Sequence, residues 1–292
     1  MQFGAFLPTY WTDYRSSDVR TAVEEAAKTA EALGYASVWA NDHVIAPAHQ
    51  TDVGHIIEPL ITLASLVHLV PHVQLGTSVV VLPQRHAIIV AKQAAALDVL
   101  SGGRFILGVG VGWLQEEFQF LNADFARRSA VTDEAIMAMR VLWREEMASF
   151  QGQFYAFSDA VFFPKPAGGG PPLWVGGNSP QAIRRAARFG DAWVPFGIGV
   201  DDFTAGVVAL RSMATGGSIP TIAAHMRICI STDAEPASAH LAGRAEMIVA
   251  ALERYRQAGL EYLICDFVAE SVEDLVRQMH VMAEEIVPQL TG

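Results

Sequence analysis

Three short stretches carry residue types that could do chemistry. The first is Asn41-Asp42-His43, which directly follows the apolar run Ala36–Ala40. An imidazole that titrates near neutral pH suits proton transfer at a nitrogen or oxygen of a bound molecule. A loop histidine bonded to its neighbours is the plainer alternative. The second stretch is Gly176-Gly177-Asn178-Ser179-Pro180. Ser179 before Pro180 reads as a helix N-cap followed by a first-turn proline. The two glycines let backbone N–H groups approach an anion, and a helix N-terminus is a ready phosphate site. An ordinary capping turn has the same sequence. The third stretch is Gly108, Gly110 and Gly112, alternating at the end of the apolar run Phe105–Val111. In a strand, every second residue faces one side, so these glycines clear that side of bulk. Either a flat ligand or a packed neighbour can then approach the backbone.

Each stretch ends a candidate strand. Strands are expected at Gln2–Leu7, Ala36–Ala40, Val73–Leu82, Phe105–Val111, Leu173–Val175, Ala192–Pro195, Thr221–Ser231 and Tyr262–Asp266. Helical patterns lie between them: one capped by Ser17 or Asp18 and closed by Gly34, one around Leu60–Val67, then Ala87–Leu100, Ala130–Phe150, 180–189, Asp201–Ala214, Ala239–Ala258 and Val272–Ile286. Short connections between alternating strands and helices predict parallel strands with right-handed crossovers. Eight such units in 292 residues is the count of a (β/α)8 barrel, a single α/β domain over 1–292, with a doubly wound sheet as the alternative. The aromatic, alternating segment Gln151–Pro166 breaks the rhythm after the fourth helix and reads as a β-hairpin-like insertion. In a barrel, function sits at the C-terminal ends of strands, where Asp42, His43, Ser78, Val79, Arg85, Gly110, Gly112, Trp113, the 176–179 turn and Phe196 all fall.

Composition narrows the classes. The chain is 51% apolar and 17% charged, with net charge −11, so it is globular and carries no basic patch for nucleic acid. Cys229 and Cys265 sit in apolar runs and read as buried thiols, which suits a reducing cytoplasm. The first residues lack the pattern of a signal peptide, and no apolar segment has the length of a membrane span. No His-x-His pair or other ligand spacing points to a metal. Gly-x-Gly-x-x-Gly and Gly-x-Ser-x-Gly are both absent.

With these residues assembled, the chain resembles the bacterial luciferase-like superfamily across essentially its whole length. Within it, the chain is most similar to the deazaflavin (coenzyme F420)-dependent oxidoreductases. The matching motifs are SVWANDH at 37–43, LGTSVVVLP at 75–83, RHAIIVAKQAAALDVLSGGRFILGVGVGW at 85–113 and PPLWVGGNSPQAIRRAARFGDAWVP at 171–195. The resemblance implies a barrel holding F420, or alternatively FMN, at the strand C-termini. It implies that His43 is the proton donor or base near the ring and that Asp42 contacts the ring. It places a non-prolyl cis peptide at Ser78–Val79, pressing on the ring face. Gly110 and Gly112 would line the ring, and Gly176, Gly177, Asn178 and Ser179 would receive the phosphate. It also implies a homodimer and, if FMN is used, a monooxygenase fed by a separate reductase.

There are departures. Relatives that oxidise sugar phosphates keep a glutamate where this chain has Trp113, and Glu116 or Glu117 would need a different loop to replace it. Ala87 stands where a proline is common, and 196–220 carries no lysine for a substrate phosphate. Trp113 and Phe196 instead suggest an apolar, aromatic-lined substrate pocket for a small molecule. Two other classes compete: a flavin-binding barrel or partner subunit without turnover, and a metal-dependent barrel hydrolase.

Overall fold

The computed structural model describes residues 1–10, 19–50, 53, 55–214, 218–231 and 240–290. The first half of the chain runs β1 (Gln2–Phe6), α1 (Val19–Ala32), β2 (Ser37–Ala40), α2 (Pro59–Leu66), β3 (Gln74–Thr77), β4 (Val80–Val81), α3 (Ala87–Ser101), β5 (Phe105–Gly110), α4 (Gln115–Phe120) and α5 (Arg128–Arg144). The antiparallel pair β6 (Ala148–Gln151) and β7 (Ala156–Ala160) follows. The second half runs β8 (Leu173–Gly176), α6 (Pro180–Phe189), β9 (Ala192–Val194), α7 (Val200–Met213), β10 (Thr221–Ile230), β11 (His240–Gly243), α8 (Ala245–Gln257), β12 (Tyr262–Phe267) and α9 (Val272–Val281). The expected caps Ser17 and Asp18 lie outside the described residues.

Eight strands close into a parallel ring in the order β1, β2, β3, β5, β8, β9, β10, β12, and β12 pairs back to β1 with Gln2 opposite Tyr262 and Ala5 opposite Cys265. All eight expected strands are therefore present, and the chain is a (β/α)8 barrel surrounded by helices. One apolar core lies between ring and helices, and a second fills the ring. The second is built on Trp39, which packs 4.8 Å from Trp174, itself 4.8 Å edge-on from Tyr262. Room for the Trp39 indole comes from glycines on both flanking strands. A Cβ at Gly4 would stand 2.3 Å from the indole nitrogen, and one at Gly76 2.4 Å from the six-membered ring. Ser37 accepts the indole N–H and bonds the Tyr262 hydroxyl, so the polar atoms of the plug are satisfied.

Three expected elements differ. The third strand stops at Thr77 and resumes at Val80. Thr77 Oγ1 donates to Gly108 O at 2.8 Å and accepts from Gly108 N at 2.9 Å, replacing the backbone ladder with a side chain. The Thr77 carbonyl then passes over Gly108, where a Cβ would lie 1.7 Å from it. The helix expected over Ala130–Phe150 ends at Arg144, because Lys165 Nζ bonds the carbonyls of Leu142 and Glu145 and the chain turns into β6. The insertion therefore begins earlier than Gln151. Its turn is held by Glu134, which accepts from the N–H groups of Gln153, Phe154 and Tyr155 at 2.8, 2.6 and 2.8 Å. The helix expected from Ala239 starts at Ala245, preceded by β11, which pairs with β10 from Arg227–His240 to Ile230–Gly243.

No helix among the described residues is long and apolar enough to cross a membrane. Both cysteines are free thiols, Cys265 buried and Cys229 half-buried.

The Trp39 plug generates a stability prediction. Gly76→Ala places a methyl group in the indole, an overpacking that costs about 1–3 kcal/mol. Urea unfolding should show a lower midpoint with an unchanged slope; an unchanged midpoint would show that the ring has spare volume at this level.

Candidate active site

Above the aromatic plug, the C-terminal ends of the strands surround a cavity of about 370 Å³. Asp42, His43, Ser78, Val79, Gly110, Gly112, Trp113, Gly176, Gly177 and Phe196 all line it, as expected. Tyr10, His225, Arg227 and Asp266 line it as well and were not anticipated.

His43 is positioned from outside its own strand. Glu117, in the first half of α4, is buried and accepts four hydrogen bonds: from His43 Nδ1 at 3.0 Å, Gln84 Nε2 at 2.9 Å, Val44 N at 2.6 Å and Ile45 N at 3.3 Å. Burial pushes its carboxyl upward, but the bonds from His43, Gln84 and Val44 outweigh this and hold it below the ordinary carboxylate value. An ionised carboxylate only accepts, so His43 Nδ1 donates to it, which turns Nε2 away from Glu117. Trp113 stands edge-on to the imidazole, ring centroids 5.9 Å apart, and is itself 58% exposed at the rim. Glu117 therefore does not replace the missing substrate-facing acid. It orients the histidine.

Asp42, beside His43 on the cavity wall, is held by its own set of partners. Its carboxylate receives a forked pair from Arg85, at 3.0 and 2.6 Å, and the Val81 N–H at 3.0 Å. Arg85 also reaches Glu58 at 3.2 Å. Asp42 thus ties the end of β2 to the far side of the break in β3.

The Ser78–Val79 peptide is cis, as the resemblance implied. Val79 then turns into the mouth of the barrel. Its methyl groups lie where a Cβ at Gly110 would come within 2.5 Å and one at Gly176 within 2.7 Å. This refines the reading of the glycine run. Gly108 makes room for Thr77, and Gly110 and Gly176 for Val79. Gly112, at φ +76°, would direct a Cβ into Val81 and Phe118. The glycines thus admit packed neighbours, and Gly110 and Gly112 still line the cavity beside the bulge they seat.

The 176–179 turn folds as the capping pattern predicts. Ser179 Oγ accepts from Ala182 N at 3.2 Å, and Gly177, at φ +122°, donates to Val194 O at 3.1 Å. Gly176 and Gly177 reach the cavity wall. Asn178 and Ser179 are exposed at its rim, with both ends of the Asn178 amide bonded to the Phe196 backbone at 2.8 and 2.9 Å. Arg185, three residues into this helix from Ala182, faces away and pairs with Asp133 and Ser129 of α5. An anion at this turn would rest on first-turn N–H groups.

The unanticipated residues form a second polar wall. Asp266, at the end of β12, is buried and accepts from the Tyr10 hydroxyl at 2.6 Å. Arg227 Nε and His225 Nε2 approach its other oxygen at 3.6 and 3.7 Å. Burial raises the Asp266 carboxyl, but His225, Tyr10 and Arg227 together bring it below its ordinary value. Burial first, then the neighbouring carboxylate, raise the Tyr10 phenol so far that it stays protonated. His225 Nδ1 lies 3.0 Å from Ser78 Oγ. A signal existed in the sequence: His225, Arg227 and Asp266 are the polar residues in otherwise apolar strands, near the ends that face the mouth. No group of three or more His, Cys, Asp or Glu among the described residues is arranged to hold a metal.

The Glu117 hub generates a prediction with a definite sign. A carboxyl whose pKa is depressed by folding adds stability above its ordinary pKa of 4.5 and loses it as pH falls through the lowered folded value. Glu117→Gln should cost about 1–3 kcal/mol near neutral pH, with the gap to the parent narrowing in acid. Urea midpoints at about pH 7 and pH 3 measure this; a gap that is the same at both would remove the charge from the account.

Comparison with known proteins follows this geometry. Residues 1–271 match the Luciferase-like monooxygenase family. An F420-dependent hydroxymycolic acid dehydrogenase of Mycobacterium tuberculosis is 33% identical over 171 residues, covering 58% of this chain and 47% of the relative. A 4-hydroxyprotoasukamycin monooxygenase of Streptomyces nodosus subsp. asukaensis is 33% identical over 192 residues, covering 62% and 50%. The chain thus spans about half the length of these curated relatives. Among solved structures, the monooxygenase RslO1 from Streptomyces bottropensis superposes with a TM-score of 0.88 at 22% identity, over 99% of this chain and 100% of that one. That likeness is one of fold; the sequence match extends over nearly the whole barrel, and the chain belongs to the luciferase-like monooxygenase family.

Proposed function

We propose that this chain is an oxidoreductase that binds an F420-type deazaflavin at the barrel mouth and acts on a largely apolar small molecule, with His43 as the proton donor or base. The observation that carries this reading is the pairing of His43 with Glu117. It fixes the imidazole through Nδ1 and leaves Nε2 for a bound molecule, on the wall of a cavity that is otherwise mostly apolar.

The residues fit such a cofactor. Val79, raised on Gly110 and Gly176, offers a flat apolar support for a fused ring. The backbone N–H groups of Asn178, Ser179 and Gln181 suit a phosphate without requiring a side-chain cation. A deazaflavin, when bound, supplies two-electron hydride transfer. This chain's residues do the rest. His43 Nε2 accepts a proton from a substrate hydroxyl, or returns one in the reverse direction. Glu117 holds the Nδ1 proton and stabilises the imidazolium while it lasts. Trp113 and Phe196 cover the rim and exclude water. The match to the mycobacterial F420-dependent enzyme supports the cofactor.

The match to a monooxygenase at the same identity favours a second reading, reduced FMN with oxygen, in which a separate reductase would supply the flavin. Titration of the purified chain with F420, FMN and reduced FMN separates the two. F420 should saturate with the tightest affinity, preference for reduced FMN would establish the second reading, and binding of none would remove both. With F420 and a panel of secondary alcohols, His43→Ala should lower kcat by about 10²–10⁴-fold while F420 affinity stays within about threefold of the parent. An unchanged kcat would remove His43 from the mechanism.

A further inference from the structure

The second polar wall has features that the reaction at His43 does not use. His225 is 5% exposed, and its Nε2 is buried without a hydrogen-bond partner. The tautomer follows from its surroundings. If Nδ1 donated to Ser78, Nε2 would aim a lone pair at the ionised Asp266, 3.7 Å away. The favourable arrangement has the Ser78 hydroxyl donating to Nδ1, so Nε2 carries the proton. The imidazole is fixed between Phe6 and Phe196, at centroid distances of 4.6 and 4.7 Å. Beside this donor, Asp266 Oδ1 is taken by Tyr10, while Oδ2 has only the long contacts to His225 and Arg227. A buried donor and a half-used acceptor therefore face one cavity together. The charges of Asp266 and Arg227 cancel, and the groups facing the imidazole, namely Ser78, Tyr10, Asp266 and Arg227, leave no net charge to attract an ion.

One functional group matches this pair. A neutral hydroxyl donates to Asp266 Oδ2 and accepts from His225 Nε2–H. An ether or ketone can only accept and faces the carboxylate with a lone pair. A carboxylate or phosphate is repelled by Asp266.

We propose that His225 and Asp266 form a subsite for a neutral hydroxyl on an apolar, aromatic-sized substrate. They act as an anchor two and three strands round the ring from His43. The proposal deepens the reading above by naming a substrate feature, and it relies on that reading only for taking the cavity as the active site.

The test uses the whole chain without cofactor and four probes: 4-ethylphenol, 4-ethylanisole, ethylbenzene and 4-ethylbenzoate, with affinities measured by calorimetry and ligand-observed NMR. The phenol should bind about 10- to 100-fold more tightly than the anisole, as expected for bonds to a charged partner. The benzoate should bind no better than ethylbenzene. His225→Phe, which keeps an aromatic ring between Phe6 and Phe196, and Asp266→Asn should each abolish the preference for the phenol. If Asp266→Asn does not fold, His225→Phe decides alone. Equal binding of phenol and anisole to the parent, a preference that survives in the folded variants, or no binding at millimolar concentration would each overturn the subsite. F420 titration of the same preparations keeps the two ideas apart: intact F420 binding without hydroxyl preference removes only the subsite, and the reverse result removes only the cofactor.

Discussion

A closed ring of eight parallel strands has a fixed bore, and everything at its mouth depends on how that bore is filled. Trp39 occupies the lower part because Gly4 and Gly76 give way on either side. One level higher the same exchange of large for small repeats, with Val79 inward and Gly110 and Gly176 giving way. The difference between the levels is one of origin. Trp39 enters from an unbroken strand and closes the bore. Val79 enters from a strand that has already left its ladder at Thr77, so it forms a shelf, and the cavity begins on top of it.

Three buried carboxylates organise the polar atoms around that shelf. Asp42 fastens the two sides of the strand break through Arg85 and Val81. Glu117 fixes the loop after β2 and the orientation of His43. Asp266 gathers Tyr10 from beyond β1 and both His225 and Arg227 from β10. Each draws partners distant in sequence into one place, so the mouth is held by ionic and hydrogen-bonded anchors where the ring below is held by packing. Such anchors tolerate little: removing one partner leaves a buried charge uncompensated.

The legible parts of the sequence were those governed by local rules. The alternation of apolar runs with capped helices gave away eight strands and their direction. Ser179 and Pro180 announced a helix start that is present. The break in β3 has no signal in local composition, because Thr77-Ser78-Val79-Val80 contains neither glycine nor proline and its cause lies across the sheet at Gly108; only the family resemblance pointed to an irregular peptide there. The early end of α5 was hidden for a similar reason: Glu145, Glu146 and Met147 are good helix formers, and the carbonyls that end the helix are bonded by Lys165 from beyond the hairpin. Asp42 stands at the mouth where the sequence puts it, but its fork to Arg85, 43 positions away, has no local signal. The partnership of Glu117 with His43, 74 positions apart, carried no local trace.

The ring is not uniform around its circumference. Along one edge of β10, Thr221 and Ile222 pair with β9, Phe196 makes a lone bridge to His225, and from Arg227 onward the partner is β11. Between the sixth and seventh barrel strands, the upper wall is therefore closed by a strand borrowed from later in the chain. This seam relieves a constraint that holds elsewhere in the barrel. The segment leaving Phe196 carries no ladder to its neighbour at that height, so its length and course can vary without unzipping the ring. The shape of the pocket in this chain is therefore least constrained next to Phe196 and His225, and most constrained on the opposite side, which is bolted through Asp42 and Glu117.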